Sequence, residues 1–205
     1  MISLTTVRMD SVAEEQSRDG SHRVVGISSG DFGGKLMVTR RTGRAVREVL
    51  AEALEELPKG GILYVDTRGV ELMDYSFADE ALGVLVSRVA GGEYGERHLI
   101  LVEEDRDLLE NVEASLLQRS LAMVRMDDIG GEPGLVGKVP DHLVDTLWTI
   151  YEAGSITNAD LAKKLGLNHT ACNNRATRLA KLGLIRRKVE TAAPGGRQYS
   201  YERIA

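Results

Sequence analysis

Cysteine occurs once in this 205-residue chain, as Cys172. No intrachain disulfide can form, and a reducing compartment is expected. Aromatic residues make up only 4%, which argues against single-strand binding by base stacking. No apolar run approaches the roughly 20 residues of a membrane span. The N-terminus carries Asp10, Glu14 and Glu15 and no apolar leader core, so a cytoplasmic location without a membrane partner is expected. The four histidines (His22, His98, His142, His169) are scattered, with no cysteine at ligand spacing, so no metal is expected. Gly30-Asp-Phe-Gly-Gly-Lys35 has Ser29 and Leu36 where a phosphate loop needs Gly and Ser/Thr, so no nucleotide cofactor is assigned. Glu103-Glu-Asp105 reads as a solvated acidic strand end. No catalytic triad or dyad can be read from residue order, and the chain is not read as an enzyme.

What is present is unevenly distributed. The chain is net acidic, yet residues 139–205 hold 10 Lys+Arg against 6 Asp+Glu, and the rest holds 16 against 25. An acidic part precedes a basic one, as expected when only the second meets phosphates. A polar segment (1–21) comes first, with a candidate edge strand at Ile2–Val7. Residues 22–126 then alternate strands and helices. Strands are predicted at His22–Ile27, Lys35–Thr39, Ile62–Asp66, His98–Val102 and Ala122–Met126, with a turn at Gly30–Gly34. Helices are predicted from a Thr42 cap to Leu57, over Ser76–Ala90, and from an Asp105 or Asp107 cap to Leu121. Ile62–Asp66 is nearly all apolar, the pattern of a strand covered on both faces. The whole implies an α/β domain with a mixed sheet. Asp127–Lys138, rich in Gly and Pro, is the candidate linker.

Residues 139–205 read as helix, helix, helix, hairpin. The first helix (Asp141–Ala153) buries Leu143, Leu147, Ile150 and Tyr151. The second (Asn158–Leu165) ends at Gly166, where a positive φ is needed. The third starts near Asn168 or His169 and turns Ala171, Cys172, Ala176, Leu179 and Leu182 inward, which makes Cys172 a small hydrophobe. His169, Thr170, Asn173, Asn174 and Thr177 fall on the opposite face. Asn can pair with adenine and Thr can touch a thymine methyl, so these five are the candidate base readers. Arg175, Arg178 and Lys181 suit phosphates. A hairpin of Ile185–Thr191 and Arg197–Ile204, with its tip at 192–196, carries Arg186, Arg187, Lys188 and Arg197. This stretch resembles the winged helix-turn-helix domains of MarR-type bacterial transcription regulators. The resemblance implies double-stranded DNA as partner and a homodimer that mirrors a palindromic site.

Leu63-Tyr-Val-Asp-Thr-Arg-Gly-Val-Glu-Leu-Met-Asp-Tyr-Ser-Phe-Ala-Asp-Glu80 is a buried strand, a loop and a helix start. It resembles the STAS fold of anti-anti-sigma factors, and more closely the STAS-like domains whose core has a Ser-Phe-Ala-Asp-Glu type segment. Thr39-Arg-Arg-Thr-Gly-Arg44 resembles the entry to the first helix of that group. The resemblance implies a signal- or partner-receiving module over residues 22–126. By the same resemblance Ser76 matches a regulatory phosphoserine, which would make the chain a protein-interaction switch. Against that, Phe77-Ala78-Asp79 replaces a Gly-Leu-Gly, and Asp79 and Glu80 would repel a phosphate. Ser76 then reads as a helix N-cap with Asp79 completing a capping box.

Overall fold

The computed structural model describes residues 14–16, 20–28, 34–192 and 196–205. The strand expected at Ile2–Val7, most of the Gly30–Gly34 turn and residues 193–195 of the hairpin tip lie outside the described residues.

The first part is a six-stranded sheet. Its strands are β1 (Glu14–Gln16), β2 (His22–Gly26), β4 (Ile62–Asp66), β6 (His98–Val102), β7 (Ala122–Met126) and β8 (Gly134–Gly137), in that spatial order. The four inner strands are parallel and the two edge strands antiparallel to their neighbours. Parallel neighbours need crossovers. These are α1 (Arg40–Glu56), a helix in three parts over residues 75–91, and α4 (Arg106–Gln118). A two-stranded parallel ribbon, β3 (Leu36–Met37) with β5 (Leu72–Met73), lies outside the main sheet.

Strand alternation sorts the side chains into two cores. Val25, Leu63, Val65, Leu99, Leu101 and Met123 join the apolar faces of the crossover helices. Their neighbours along the strands face the other way. Val24, Tyr64, Ile100 and Val124 stand side by side across four strands and belong to the second core. That core continues into the C-terminal part through Leu143, Leu147, Ile150 and Tyr151. The inner strands are therefore covered on both faces, by the crossover helices on one and by the C-terminal unit on the other.

The segment expected as a linker supplies a strand. β8 pairs with β7, with Val136 in the first core and Val139 in the second. The glycine at 137 is a packing requirement. Its φ is +87°, and a Cβ there would sit 2.4 Å from the Leu121 carbonyl oxygen.

Two helix starts differ from expectation. α1 begins at Arg40, capped by Thr39, whose hydroxyl accepts from the Thr42 amide at 3.4 Å and whose φ is +75°. The Thr39 amide donates to Asp74 Oδ2 at 3.1 Å, so the entries of two helices are tied together. Asp74 itself caps α2 (Tyr75–Ala78), accepting from the Phe77 amide. Ser76 is thus not the cap but the second residue of α2, half-buried. α2 leads into a π-helical turn (Asp79–Gly83) and then α3 (Val84–Gly91). Within the π turn, Gly83 makes room for α4: a Cβ there would lie 2.1 Å from Ser115 Oγ.

The C-terminal unit is α5 (Asp141–Ala153), β9 (Ser155–Thr157), α6 (Asn158–Leu165), α7 (His169–Lys181), β10 (Ile185–Ala192) and β11 (Gly196–Arg203). Its three strands form a sheet in the order β10-β11-β9.

Candidate nucleic-acid interface

The turn between α6 and α7 is built from local hydrogen bonds. Thr157 caps α6, its hydroxyl accepting from the Asp160 amide at 3.1 Å. Gly166 closes α6 with φ +63°, a conformation glycine adopts without a Cβ penalty. Asn168 caps α7, its Oδ1 accepting from the Ala171 amide at 2.8 Å. A cap of this kind stabilises a helix by about 1 kcal/mol. Cys172, Ala176 and Leu179 are buried beneath α7. Burial pushes the Cys172 thiol pKa up, as expected for a small hydrophobe.

The exposed face of α7 carries His169, Thr170 and Asn174 in its first half, then Arg178 and Lys181. Its first turn holds no acidic residue and its last holds Arg178 and Lys181. The amide end of the helix dipole is thus left uncancelled beside the candidate readers.

The other expected site residues are placed differently. Asn173 Oδ1 accepts from Tyr201 Oη at 3.0 Å and from Arg187 at 3.3 Å. An amide whose oxygen is held this way cannot also offer a bidentate edge to adenine. Thr177 is half-buried, and its hydroxyl is shut from solvent without a hydrogen-bond partner among the described residues. Arg175 donates to the His142 carbonyl at 2.9 Å, on the α5 side. Arg187 lies over the Tyr199 ring, 4.0 Å from its centroid. Arg186 donates to the Gly60 carbonyl at 2.9 Å, joining the C-terminal unit to the first sheet. Lys188 pairs with Glu202 across the hairpin at 2.8 Å. Arg197 stands on β11 opposite Thr191.

A second cross-unit bond buries a histidine. His98, 4% exposed, sits 3.0 Å from the Gly183 carbonyl through Nδ1, which must carry the proton to donate. Burial outweighs this bond and lowers the ring's pKa. Tyr151 on α5 also donates to the Leu184 carbonyl at 2.9 Å, one residue before β10.

Around Ser76, residue order does not disclose what the acids do. Asp79 accepts from Ser115 at 2.9 Å and from two nitrogens of Arg119, and pairs with Arg40. Burial alone would raise its pKa, but these hydrogen bonds and charges hold it below the usual range. Glu80 is hydrogen-bonded by Arg47, which with Arg44 and Arg40 also keeps its carboxyl low. Both acids are neutralised from α1 and α4, so Asp79 is no capping-box partner. The helical spacing of Arg40, Arg44 and Arg47 was the available signal. Glu103 is likewise not solvated. It is 3% exposed and accepts from the Thr67 hydroxyl and from the amides of Glu104 and Asp105.

Residues 142–191 match the MarR family. That stretch runs from α5 to β10, about a quarter of the chain. No curated protein matches. A solved structure from Methanosarcina mazei Go1, described as a "possible transcriptional regulator", is similar at 16% identity and a TM-score of 0.30. The likeness covers 32% of this chain and 56% of that one, so the chain spans little more than half its length. No helix among the described residues is long and apolar enough to cross a membrane.

Proposed function

We propose that the chain is a DNA-binding transcription regulator whose α7 reads the major groove. The observation that carries this reading is the Asn168-capped α7 within the stretch matching the MarR family. That helix presents exposed His169, Thr170 and Asn174, followed by exposed Arg178 and Lys181. Base edges would be met by the first three and phosphates by the last two, with Arg197 and the hairpin flanking the duplex. Two copies would read half-sites about 34–36 Å apart.

The sheet unit is read as a STAS-like receiver of a signal or protein partner. Support comes from Leu36 and Leu72, register partners on the β3–β5 ribbon, 53% and 52% exposed, which give that end an apolar surface. Ser76 is kept as a candidate regulatory residue there.

Selection from a random duplex pool tests the DNA reading. Asn174→Ala should relax preference at one base position, by about 1–3 kcal/mol. Asn173→Ala should instead lower stability, because its oxygen is tied to Tyr201 and Arg187. An unchanged preference in Asn174→Ala, His169→Ala and Thr170→Ala together would remove α7 as the reader.

A further inference from the structure

A cleft of about 1000 Å³ opens between the two units, at the upper end of the size range of small-molecule sites. One wall is the end of α3 and the loop after it, with Val89, Ala90 and Gly91. The other is the second half of α7 and the start of β10. Three buried polar atoms lack hydrogen-bond partners among the described residues: Thr177 Oγ1, Arg186 Nε and Arg187 Nε. All three residues line this cleft. Orphaned buried donors are uncommon and call for an explanation, and here all three flank one cleft.

The charges agree. Lys181, Arg186 and Arg187 have no acidic partner among the ion pairs of the described residues, and the two arginines spend their other bonds on neutral oxygens. Glu96, the acid among the lining residues, is taken by Lys59 at 3.2 Å. Arg97, also in the lining, donates to the carbonyls of Glu55, Leu57 and Tyr94. The cleft thus receives a guanidinium and a hydroxyl from Arg187 and Thr177, and a second guanidinium from Arg186 on the other face of β10, all with donor capacity left over. Guanidinium and hydroxyl donors suit phosphate oxygens. The sheet unit's side combines Val89, Ala90 and Gly91 with the already partnered Lys59, Glu96, Arg97 and His98.

We propose that this cleft binds a phosphate-bearing small molecule and that its occupancy changes DNA affinity. The second half of the proposal rests on the DNA-binding reading above. The link is physical. Thr177 and Lys181 sit on α7 itself, and Arg187 holds Asn173 on the same helix. A ligand drawing on these groups has different contacts in states that orient α7 and the sheet unit differently, and coupling of this kind is reciprocal.

Calorimetry of the full chain with inorganic pyrophosphate, without DNA, tests the site independently of the DNA reading. Two variants accompany it. Thr177→Val removes the orphan hydroxyl. Gly91→Glu places a carboxylate on the far wall, where a Cβ meets nothing within 4 Å. Saturable binding, weakened about tenfold or more by each variant, is expected, since tenfold is the loss of one good contact. Duplex affinity should shift on adding pyrophosphate relative to sodium chloride of equal ionic strength, and the shift should vanish in Gly91→Glu. No saturable binding by about 10 mM, above the range of even a weak millimolar site, overturns the proposal. So does binding that both variants leave intact. Duplex binding weakened by the uncharged Thr177→Val as well as by Gly91→Glu, without pyrophosphate, also overturns it, because the cleft then holds a DNA phosphate. Saturable pyrophosphate binding in a chain that binds no duplex would uphold the site and refute only the DNA reading.

Discussion

Replacing Ile100 with alanine should destabilise the winged helix, although Ile100 belongs to the other unit. Ile100 is fully buried on β6, between Tyr64 and Val124, in the core shared with Leu143, Leu147 and Ile150. Deleting three carbons at such a site costs about 2–5 kcal/mol, through lost transfer energy and the cavity left behind. For a chain of this size each kcal/mol moves the midpoint by roughly 2–4 °C, so the Tm should fall by roughly 5–15 °C. The readout is built in. Trp148 is the single tryptophan, and it lies on α5, edge-on to Tyr151 with ring centroids 5.5 Å apart. Thermal unfolding followed by Trp148 fluorescence and by far-ultraviolet circular dichroism should give one coincident transition in the parent chain. In Ile100→Ala both probes should shift together. A Trp148 transition left in place while the circular dichroism curve splits would refute the shared core and make the units independent.

Other outcomes follow from the same contacts. Because burial lowers the folded pKa of His98, only the unfolded chain takes up that proton as pH falls through about 6.5. The His98 contribution is therefore whole above that value and declines below it, and urea midpoints across pH 5–8 should show a slope that His98→Asn removes. Asp79→Asn should cost roughly 2–3 kcal/mol, because it weakens the charge-assisted bonds from Arg119 beside the buried Ser115, and chemical denaturation reads this directly. Since the folded pKa of Asp79 is lowered, its contribution is present above the unfolded value near 3.9 and is lost as pH falls further; the parent and Asp79→Asn should converge in acid. Asn168→Ala should lower stability by about 1 kcal/mol through the lost cap of α7, again measured by denaturation.

Much of the architecture was legible because local signals agreed with one another. Asp141–Ala153 and Asn158–Leu165 have the bounds that periodicity, Gly154 and Gly166 imply, and the third helix starts at His169, one of the two expected positions. The strands Ile62–Asp66, His98–Val102 and Ala122–Met126 likewise declare themselves as apolar runs. What escaped was long-range. An all-apolar strand says that both faces are covered but not by what, so α5's seat on the sheet was not readable. Glycine and proline between 127 and 138 suggested a linker, but one of those glycines is demanded by close strand pairing at Leu121. The π turn at Asp79–Gly83 has no local composition signal, since it is coupled to Ser115 and Arg119 across 36 and 40 residues of chain. At the candidate interface, helical spacing found the polar side of α7 but could not show that Tyr201 and Arg187 reach across to take Asn173.

The most direct test of the central claim is fluorescence anisotropy of the full chain on a selected and a random duplex, across a salt series. The account predicts that the selected duplex binds at least about a thousandfold more tightly. Log affinity should fall linearly with log salt, and Arg178→Ala should flatten that slope by about 0.9, the loss of one phosphate contact. Equal weak binding to both duplexes, or none at modest salt, would contradict it.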